Sequence, residues 1–203
     1  ILFYHKFFIR QGVFFHSLEF YGMYAKKEES FMSQNKVLIV VDMQNDFIDG
    51  ALGSKDAEAI VGNVLEKIES FEGEVIFTRD THGENYLQTQ EGRKLPVKHC
   101  LENTDGWQLH RSINELAKGK TIIDKPSFGS LTLPRYLKGQ GTPDIIELVG
   151  LCTDICVISN AMILKAAFPE AEIRVISQCC AGTTVENHLN ALKAMECCQI
   201  EVR

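Results

Sequence analysis

The chain has 203 residues, which is enough for one α/β domain with a substantial core and too few for two full domains. Its content of 45% hydrophobic and 24% charged residues is ordinary for a globular protein. The net charge of −6 argues against binding to nucleic acid or anionic lipid, so a small-molecule partner is expected. The seven cysteines are odd in number and show no disulfide framework, which predicts a reducing, cytoplasmic location.

Residues 1–31 differ from the rest, with many aromatic residues and no clean period. His5, Lys6 and Arg10 interrupt the apolar residues, so we expect this stretch to be neither a secretory signal nor a membrane span. We expect an N-terminal extension that is not part of the main domain, which would cover residues 32–203, and we hypothesise that the natural start is Met32. The alternative is a native N-terminal helix that packs on a partner.

From Lys36 onward, short β-branched runs alternate with helical patterns, which is typical of βαβ units and a parallel sheet covered on both faces. The predicted fold is therefore a three-layer α/β/α domain with a six-stranded, mainly parallel sheet of Rossmann-like topology. Strands are predicted at residues 37–41, 74–78, 120–123, 144–149, 172–177 and 199–202, and helices at residues 57–70, 107–117, 132–137, 154–167 and 185–195.

The longest non-periodic stretch covers residues 79–105 and is too long for an ordinary connection between a strand and a helix. It is therefore predicted to be a functional loop. In open parallel sheets, ligands bind beyond the carboxyl ends of the strands, at the point where the strand order reverses. Polar side chains of this sequence cluster at those ends.

The first predicted strand is a continuous apolar run that ends at Asp42. A carboxylate at this position is partly desolvated, which raises its pKa, while a nearby cation would lower the pKa again. Asp42 is therefore either a tuned acid or base or one half of a structural ion pair.

The fourth predicted strand continues into Gly-Leu-Cys-Thr-Asp-Ile-Cys at residues 150–156 and then into an apolar helix. A Cys156 thiol in the first helical turn would lie at the positive end of the helix dipole, among backbone N–H groups that have no intrahelical partner. Both effects favour a thiolate and an oxyanion-binding site. The alternative is a buried structural cysteine.

Lys125 ends the third predicted strand and is followed by Pro-Ser-Phe-Gly, which predicts a turn. Its ammonium group could point into the same crevice as Asp42 and Cys156 and stabilise both of their negative charges. An exposed surface lysine is the alternative.

These three strand ends resemble the isochorismatase-like cysteine hydrolases, and the nicotinamidases in particular. The resemblance spans residues 36–203 and rests on Asp-x-Gln-x-Asp-Phe at 42–47, Asp-x-His at 80–82, the lysine loop at 125, and Thr-Asp-x-Cys at 153–156. It implies that Asp42 is a general base, Cys156 a nucleophile and Lys125 a charge stabiliser. It also implies a cis peptide bond between Leu151 and Cys152, with the N–H groups of Cys152 and Cys156 as the oxyanion hole.

The resemblance further implies a divalent metal, either zinc, iron or manganese, held by Asp80, His82, His99 and one variable ligand. Glu91 matches the variable ligand in spacing, and Glu84 is a competitor. Mixed imidazole and carboxylate ligands suit these metals. The alternatives are a solvated loop whose charged residues pair with one another, and an additional soft ligand at Cys100.

The chain lacks the aromatic residue that several nicotinamidases place shortly before the last metal-binding histidine, because residues 95–98 read Leu-Pro-Val-Lys. Stacking on a substrate ring is therefore assigned to Phe47, Phe128 or Trp107. Trp107 is equally consistent with a core anchor.

The predicted reaction is hydrolysis of a small amide through a cysteine thioester, with nicotinamide as the favoured substrate. The resemblance also implies a homo-oligomeric assembly. One alternative within the family is a metal-independent hydrolase of N-carbamoyl or ureido compounds, and another is an isochorismatase, which Cys156 disfavours. A redox or binding module with a reversible disulfide between Cys152 and Cys156 is the alternative from another class, although the usual redox motif has two intervening residues rather than three.

Overall fold

The computed structural model of the chain describes residues 34–203. The predicted extension at residues 1–31 lies outside the described residues. Within the described part, no helix combines the length and the apolar character that crossing a membrane requires.

The described residues form six strands, seven α-helices and two short irregular turns. The strands are β1 (Lys36–Val41), β2 (Glu74–Asp80), β3 (Thr121–Lys125), β4 (Ile145–Leu151), β5 (Glu172–Ala181) and β6 (Glu201–Val202). The helices are α1 (Asn45–Ile48), α2 (Lys55–Ser70), α3 (Gln90–Lys94), α4 (Arg111–Ala117), α5 (Thr132–Gln140), α6 (Ile158–Ala167) and α7 (Val185–Cys197). A 3₁₀ turn covers Tyr86–Gln88, and a single π-helical turn covers Thr153–Val157.

The six strands form one sheet in the order β3-β2-β1-β4-β5-β6, and every neighbouring pair is parallel. Alternate side chains of β1 enter two separate cores. Val37 and Ile39 pack with residues of α5, α6 and α7, whereas Leu38 and Val40 pack with residues of α2 and α4. The predicted three-layer α/β/α architecture with a six-stranded parallel sheet is confirmed.

The boundaries differ from the prediction where long-range packing competes with the local pattern. The helix predicted from residue 107 begins at Arg111, because Trp107 and Leu109 are buried and Leu109 forms an antiparallel bridge with Gln44. The helix predicted from residue 154 begins with the π-helical turn. The long loop after β2 contains the 3₁₀ turn and α3.

The strand order reverses between β1 and β4, which places a crevice beyond their carboxyl ends. Gly150 lies at this point, opposite Val41 in the register of β1 and β4, with a φ of 113° that favours glycine. A Cβ atom on Gly150 would lie 2.1 Å from the carbonyl oxygen of Val41. The close approach of the two strand ends therefore requires a residue without a side chain.

Replacing Gly150 tests whether the stability of the fold depends on the close approach of the ends of β1 and β4. We expect Gly150→Ala to lower the free energy of unfolding by about 3 kcal/mol or more, since overpacking against backbone adds to an unfavourable φ. Gly62→Ala is the matched control: Gly62 lies in α2 with open space around it, and alanine there should raise stability by about 0.5–1 kcal/mol. Urea denaturation followed by circular dichroism measures both, and equal stability of the two variants would contradict the prediction.

Candidate active site

The Lys125 ammonium group lies at the centre of the site. Lys125 is the last residue of β3, and its Nζ lies 2.6 Å from Oδ2 of Asp42, 3.3 Å from Oδ1 of Asp80 and 3.5 Å from Sγ of Cys156. It also donates a hydrogen bond of 3.0 Å to the carbonyl oxygen of Ser127. Lys125 is only 1% exposed, so the predicted alternative of a surface lysine is wrong.

Asp42 follows β1 directly and is fully buried. Its φ of 48° places it in the left-handed region, which aspartate tolerates better than most residues. The Thr78 hydroxyl donates a 2.7 Å hydrogen bond to Oδ1, while Oδ2 faces Lys125. One carboxylate oxygen is thus held by a neutral donor, and the other is paired with a cation.

Cys156 lies in the π-helical turn that links β4 to α6. The peptide bond between Leu151 and Cys152 is cis, as the resemblance implies, and the carbonyl oxygen of Cys152 accepts hydrogen bonds from the N–H groups of Ile155 and Val157. The buried Asn160 side chain donates a 2.8 Å hydrogen bond to the carbonyl oxygen of Cys156. The turn that carries the thiol is therefore held from both ends.

Burial controls the protonation of these groups. It raises the pKa of the Cys156 thiol well above its usual value, the Asp42 carboxylate raises this pKa further, and the Lys125 ammonium group opposes the shift. Burial likewise raises the pKa of Asp42 despite the attraction of Lys125. Burial thus opposes the thiolate that the helix terminus is expected to favour, and Asp42 is a stronger base than an exposed carboxylate.

Four side chains of the long loop and of β2 converge beside Lys125. The potential ligand atoms of Asp80, His82, Glu91 and His99 all lie within 4.8 Å of one another. Oδ2 of Asp80 lies 2.8 Å from Nε2 of His82 and 3.6 Å from Nε2 of His99. Oε1 of Glu91 lies 3.5 Å from Nε2 of His82 and 3.9 Å from Nε2 of His99. Adjacent ligands on one metal at bonds of about 2.0–2.2 Å lie about 2.8–3.6 Å apart, and three of these four separations fall within that range, so the spacing is compatible with a metal site.

The hydrogen bonds of the two histidines also fit a metal. Nδ1 of His99 lies 2.8 Å from the carbonyl oxygen of Val97, and donation to that oxygen leaves the lone pair of Nε2 directed into the cluster. Nε2 of His82 is buried and has no hydrogen-bond partner, although Oδ2 of Asp80 is close. A buried nitrogen without a hydrogen bond beside a carboxylate oxygen is what a metal ion between them would satisfy.

Asp80 contrasts with Asp42 in its pKa. Burial raises the pKa of Asp80, but the adjacent imidazoles of His82 and His99 and the charge of Lys125 outweigh burial and hold the pKa well below its usual value. Asp80 is therefore ionised at any ordinary pH, as a metal ligand must be.

A cavity of about 310 Å³ reaches Cys156 and three members of the ligand cluster. Cys156, Asp80, Glu91 and His99 line its polar side, and the remaining wall is mainly apolar, including Phe47, Leu52, Ala57, Leu95, Phe128 and Ile155. Among the described residues that line this cavity, none is an arginine or a lysine. Its size suits a small organic molecule.

The structure separates the three aromatic candidates for substrate stacking. Phe47 and Phe128 line the cavity, and the ring centroid of Phe47 lies 5.6 Å from that of His99. Trp107 does not line this cavity: its ring packs 3.6 Å from the Arg79 guanidinium group, and its Nε1 donates to the hydroxyl of Thr81. Trp107 is thus placed as a packing anchor next to the site.

The two alternative ligands lie outside the ligand cluster. Glu84 is exposed, and Cys100 is buried with a pKa that burial raises far above its usual value. Sequence reasoning missed Thr78 and Asn160, which hold Asp42 and the Cys156 turn. No local signal marks either residue, since Thr78 lies within a strand and Asn160 within a helix.

Comparison with known proteins identifies the fold and the family. Residues 36–203 match the isochorismatase domain family. The nicotinamidase/pyrazinamidase of Mycobacterium tuberculosis is 26% identical over 185 residues, which cover 82% of this chain and 97% of that protein.

Solved structures superpose on the same part of the chain. The pyrazinamidase of Pyrococcus horikoshii in complex with zinc is 28% identical, with a TM-score of 0.73 over 83% of this chain and 98% of that chain. The N-carbamoylsarcosine amidase of Thermoplasma acidophilum is 25% identical, with a TM-score of 0.70 over 83% of this chain and 95% of that chain. The family match covers most of the sequence, and the curated relatives include nicotinamidases. The chain therefore belongs to the isochorismatase family and is a hydrolase of carbon–nitrogen bonds other than peptide bonds.

Proposed function

We propose that this protein is a cysteine amidohydrolase that converts a small neutral aromatic amide to its carboxylate and ammonia, with nicotinamide as the best candidate substrate. The observation that carries the proposal is the position of the Lys125 ammonium group, 2.6 Å from Asp42 and 3.5 Å from Cys156 beside one cavity. The similarity to nicotinamidases supports the choice of nicotinamide.

In this proposal, Asp42 removes the proton of the Cys156 thiol, and the thiolate attacks the amide carbon. The N–H groups of Cys152 and Cys156 bind the tetrahedral oxyanion. Asp42 returns its proton to the departing ammonia, then deprotonates the water that hydrolyses the thioester. Lys125 keeps its charge throughout, because its carboxylate neighbours hold its pKa above the usual value although burial opposes them.

Asp80, His82, Glu91 and His99 would hold a divalent metal such as zinc, iron or manganese. When bound, the metal supplies a Lewis acid for a ring nitrogen of the substrate. The spacing of the four ligands and the unpartnered Nε2 of His82 support this part of the proposal.

The charge of the cavity favours a neutral amide over an N-carbamoyl amino acid as the substrate. The similarity to the Thermoplasma N-carbamoylsarcosine amidase is the reason to consider the second class. An N-carbamoyl amino acid carries a carboxylate that needs a cationic partner. The cavity lining offers Asp80 and Glu91 but no arginine or lysine among its described residues, and a divalent metal would only balance these two charges. A neutral amide has no such requirement.

Cys156→Ala should lower ammonia release from nicotinamide by at least about 10³-fold, because it removes the thiol that lies beside Lys125. Asp42→Asn should lower it by about 10²–10⁴-fold through loss of the base. Cys197→Ala, which removes an exposed thiol from α7, is the control and should leave the rate unchanged. Turnover of Cys156→Ala above a few per cent of the wild-type rate would overturn the assignment. In a separate measurement, mass spectrometry of the wild-type protein quenched during turnover should show an acyl adduct on Cys156.

A substrate panel tests the charge of the cavity. We expect kcat/KM for nicotinamide and pyrazinamide to exceed that for N-carbamoyl amino acids by at least about 100-fold, since burying an unpaired carboxylate beside two acidic side chains is costly. Ammonia release measures all of these substrates under the same conditions. A higher kcat/KM for the N-carbamoyl compounds would favour the alternative function.

Metal removal tests the ligand cluster. Dialysis against a chelator should lower nicotinamidase activity by at least about tenfold, and added Zn²⁺ or Mn²⁺ should restore it, with close to one metal per chain by elemental analysis. His82→Ala should bind metal weakly and remain poorly active after metal is added. Full activity of a metal-free preparation would contradict the role proposed for the metal.

A further inference from the structure

We propose that Gln44 and Asp46 are positioning residues for the metal site, which fix the backbone of the two segments that carry its ligands. The inference rests on the metal binding proposed above. Neither side chain belongs to the ligand cluster: Gln44 directly precedes α1, and Asp46 lies within it. The catalytic mechanism leaves their role open.

Gln44 is fully buried, and its side-chain amide pairs with the backbone of Asp80 in both directions. Its Nε2 donates a 2.9 Å hydrogen bond to the carbonyl oxygen of Asp80, and its Oε1 accepts a 2.7 Å hydrogen bond from the N–H group of Asp80. Nε2 also donates to the carbonyl oxygen of Trp107 at 2.8 Å.

This pairing replaces a missing strand. The backbone of β1 pairs with β2 as far as Val40 and Phe77, and the N–H group of Asp42 still donates to Thr78, after which the chain turns away. The backbone polar groups of Asp80 would then lack a partner strand on the β1 side, and buried backbone groups need partners. The Gln44 amide supplies them, and the direction of the Asp80 carboxylate is fixed as a result.

Asp46 fixes the second ligand segment. Its Oδ2 accepts a 2.7 Å hydrogen bond from the N–H group of Cys100, the residue after His99, and its Oδ1 accepts one of 3.3 Å from Ala51. Cys100 has a φ of 45°, in the left-handed region that non-glycine residues adopt only when the surroundings hold them there. A charge-assisted hydrogen bond to its N–H group is such a constraint.

Cys100 also connects the two histidine ligands. It follows His99 in the chain, and its carbonyl oxygen accepts a 3.0 Å hydrogen bond from the N–H group of His82. The contact between Asp46 and Cys100 therefore acts on both imidazoles at once. A displaced Asp46 carboxylate should loosen His82 and His99 together.

Gly106 offers a way to move this carboxylate without removing it. The N–H group of Asp46 donates to the carbonyl oxygen of Gly106 at 3.0 Å, and a Cβ atom on Gly106 would lie 2.1 Å from Oδ2 of Asp46. The side chain of Asp46 must shift to accommodate that Cβ. Asn45 provides the matched control, since its Nδ2 donates to Asp105 at an exposed position of the same turn.

The test is the affinity of chelator-treated, folded protein for Zn²⁺ alone, measured by competition with a chromophoric chelator. Asp46→Ala, Gly106→Ala and Gln44→Met should each weaken Zn²⁺ binding about 10–100-fold, the range expected when the partners of metal ligands are removed. Asp46→Asn keeps an acceptor oxygen and should lose less affinity than Asp46→Ala. Asn45→Ala should stay within about twofold of wild type.

The melting temperature of each metal-free variant shows whether it folds. If Asp46→Ala or Gln44→Met does not fold, the Zn²⁺ affinities of Gly106→Ala and Asp46→Asn provide the test. Excess Zn²⁺ should restore the kcat of Asp46→Ala, which a purely structural defect would not allow. Wild-type affinity in Asp46→Ala and Gly106→Ala would overturn this inference alone. A wild-type protein that binds no Zn²⁺ would overturn both this inference and the proposed metal site.

Discussion

The burial of a single ammonium group organises this protein. Transferring Lys125 from water to the interior costs several kcal/mol unless its charge and its hydrogen-bonding protons are matched. The match comes from Asp42, Asp80 and Cys156, on three other segments of chain, together with the carbonyl oxygen of Ser127. The ends of β1, β2 and β3 and the turn after β4 must therefore meet, and the parallel sheet allows this because all of its strands end on the same side.

Two carboxylates share this cation and yet differ in protonation. Asp42 is completely desolvated and has Lys125 and one hydroxyl group as partners, so its pKa is raised. Asp80 is nearly as buried but faces two imidazoles in addition to Lys125, so its pKa is lowered. The difference in surroundings suits the first carboxylate to proton transfer and the second to metal binding, as in other sites where two acids take separate roles.

The sheet and the residues at its strand ends could be predicted because each depends on a short, local sequence pattern. Apolar runs such as residues 37–41 mark buried strands, and a polar residue directly after such a run marks the carboxyl edge of the sheet. Contacts between distant segments leave no comparable local pattern. Thr78 reaches Asp42 across 36 positions, and Trp107 is drawn from a predicted helix into contact with Arg79. The protonation of Cys156 depends on complete burial, which periodicity does not reveal.

The absence of arginine and lysine from the described cavity lining also bears on what would follow the proposed reaction. In the proposed reaction a neutral amide would enter this space and leave as an anion, and Lys125 already pairs with two carboxylates. The wall offers the new carboxylate no arginine or lysine among the described residues, so its burial beside Asp80 and Glu91 should be less favourable than that of the neutral amide. Under the proposed function, inhibition by accumulated product should therefore be weak.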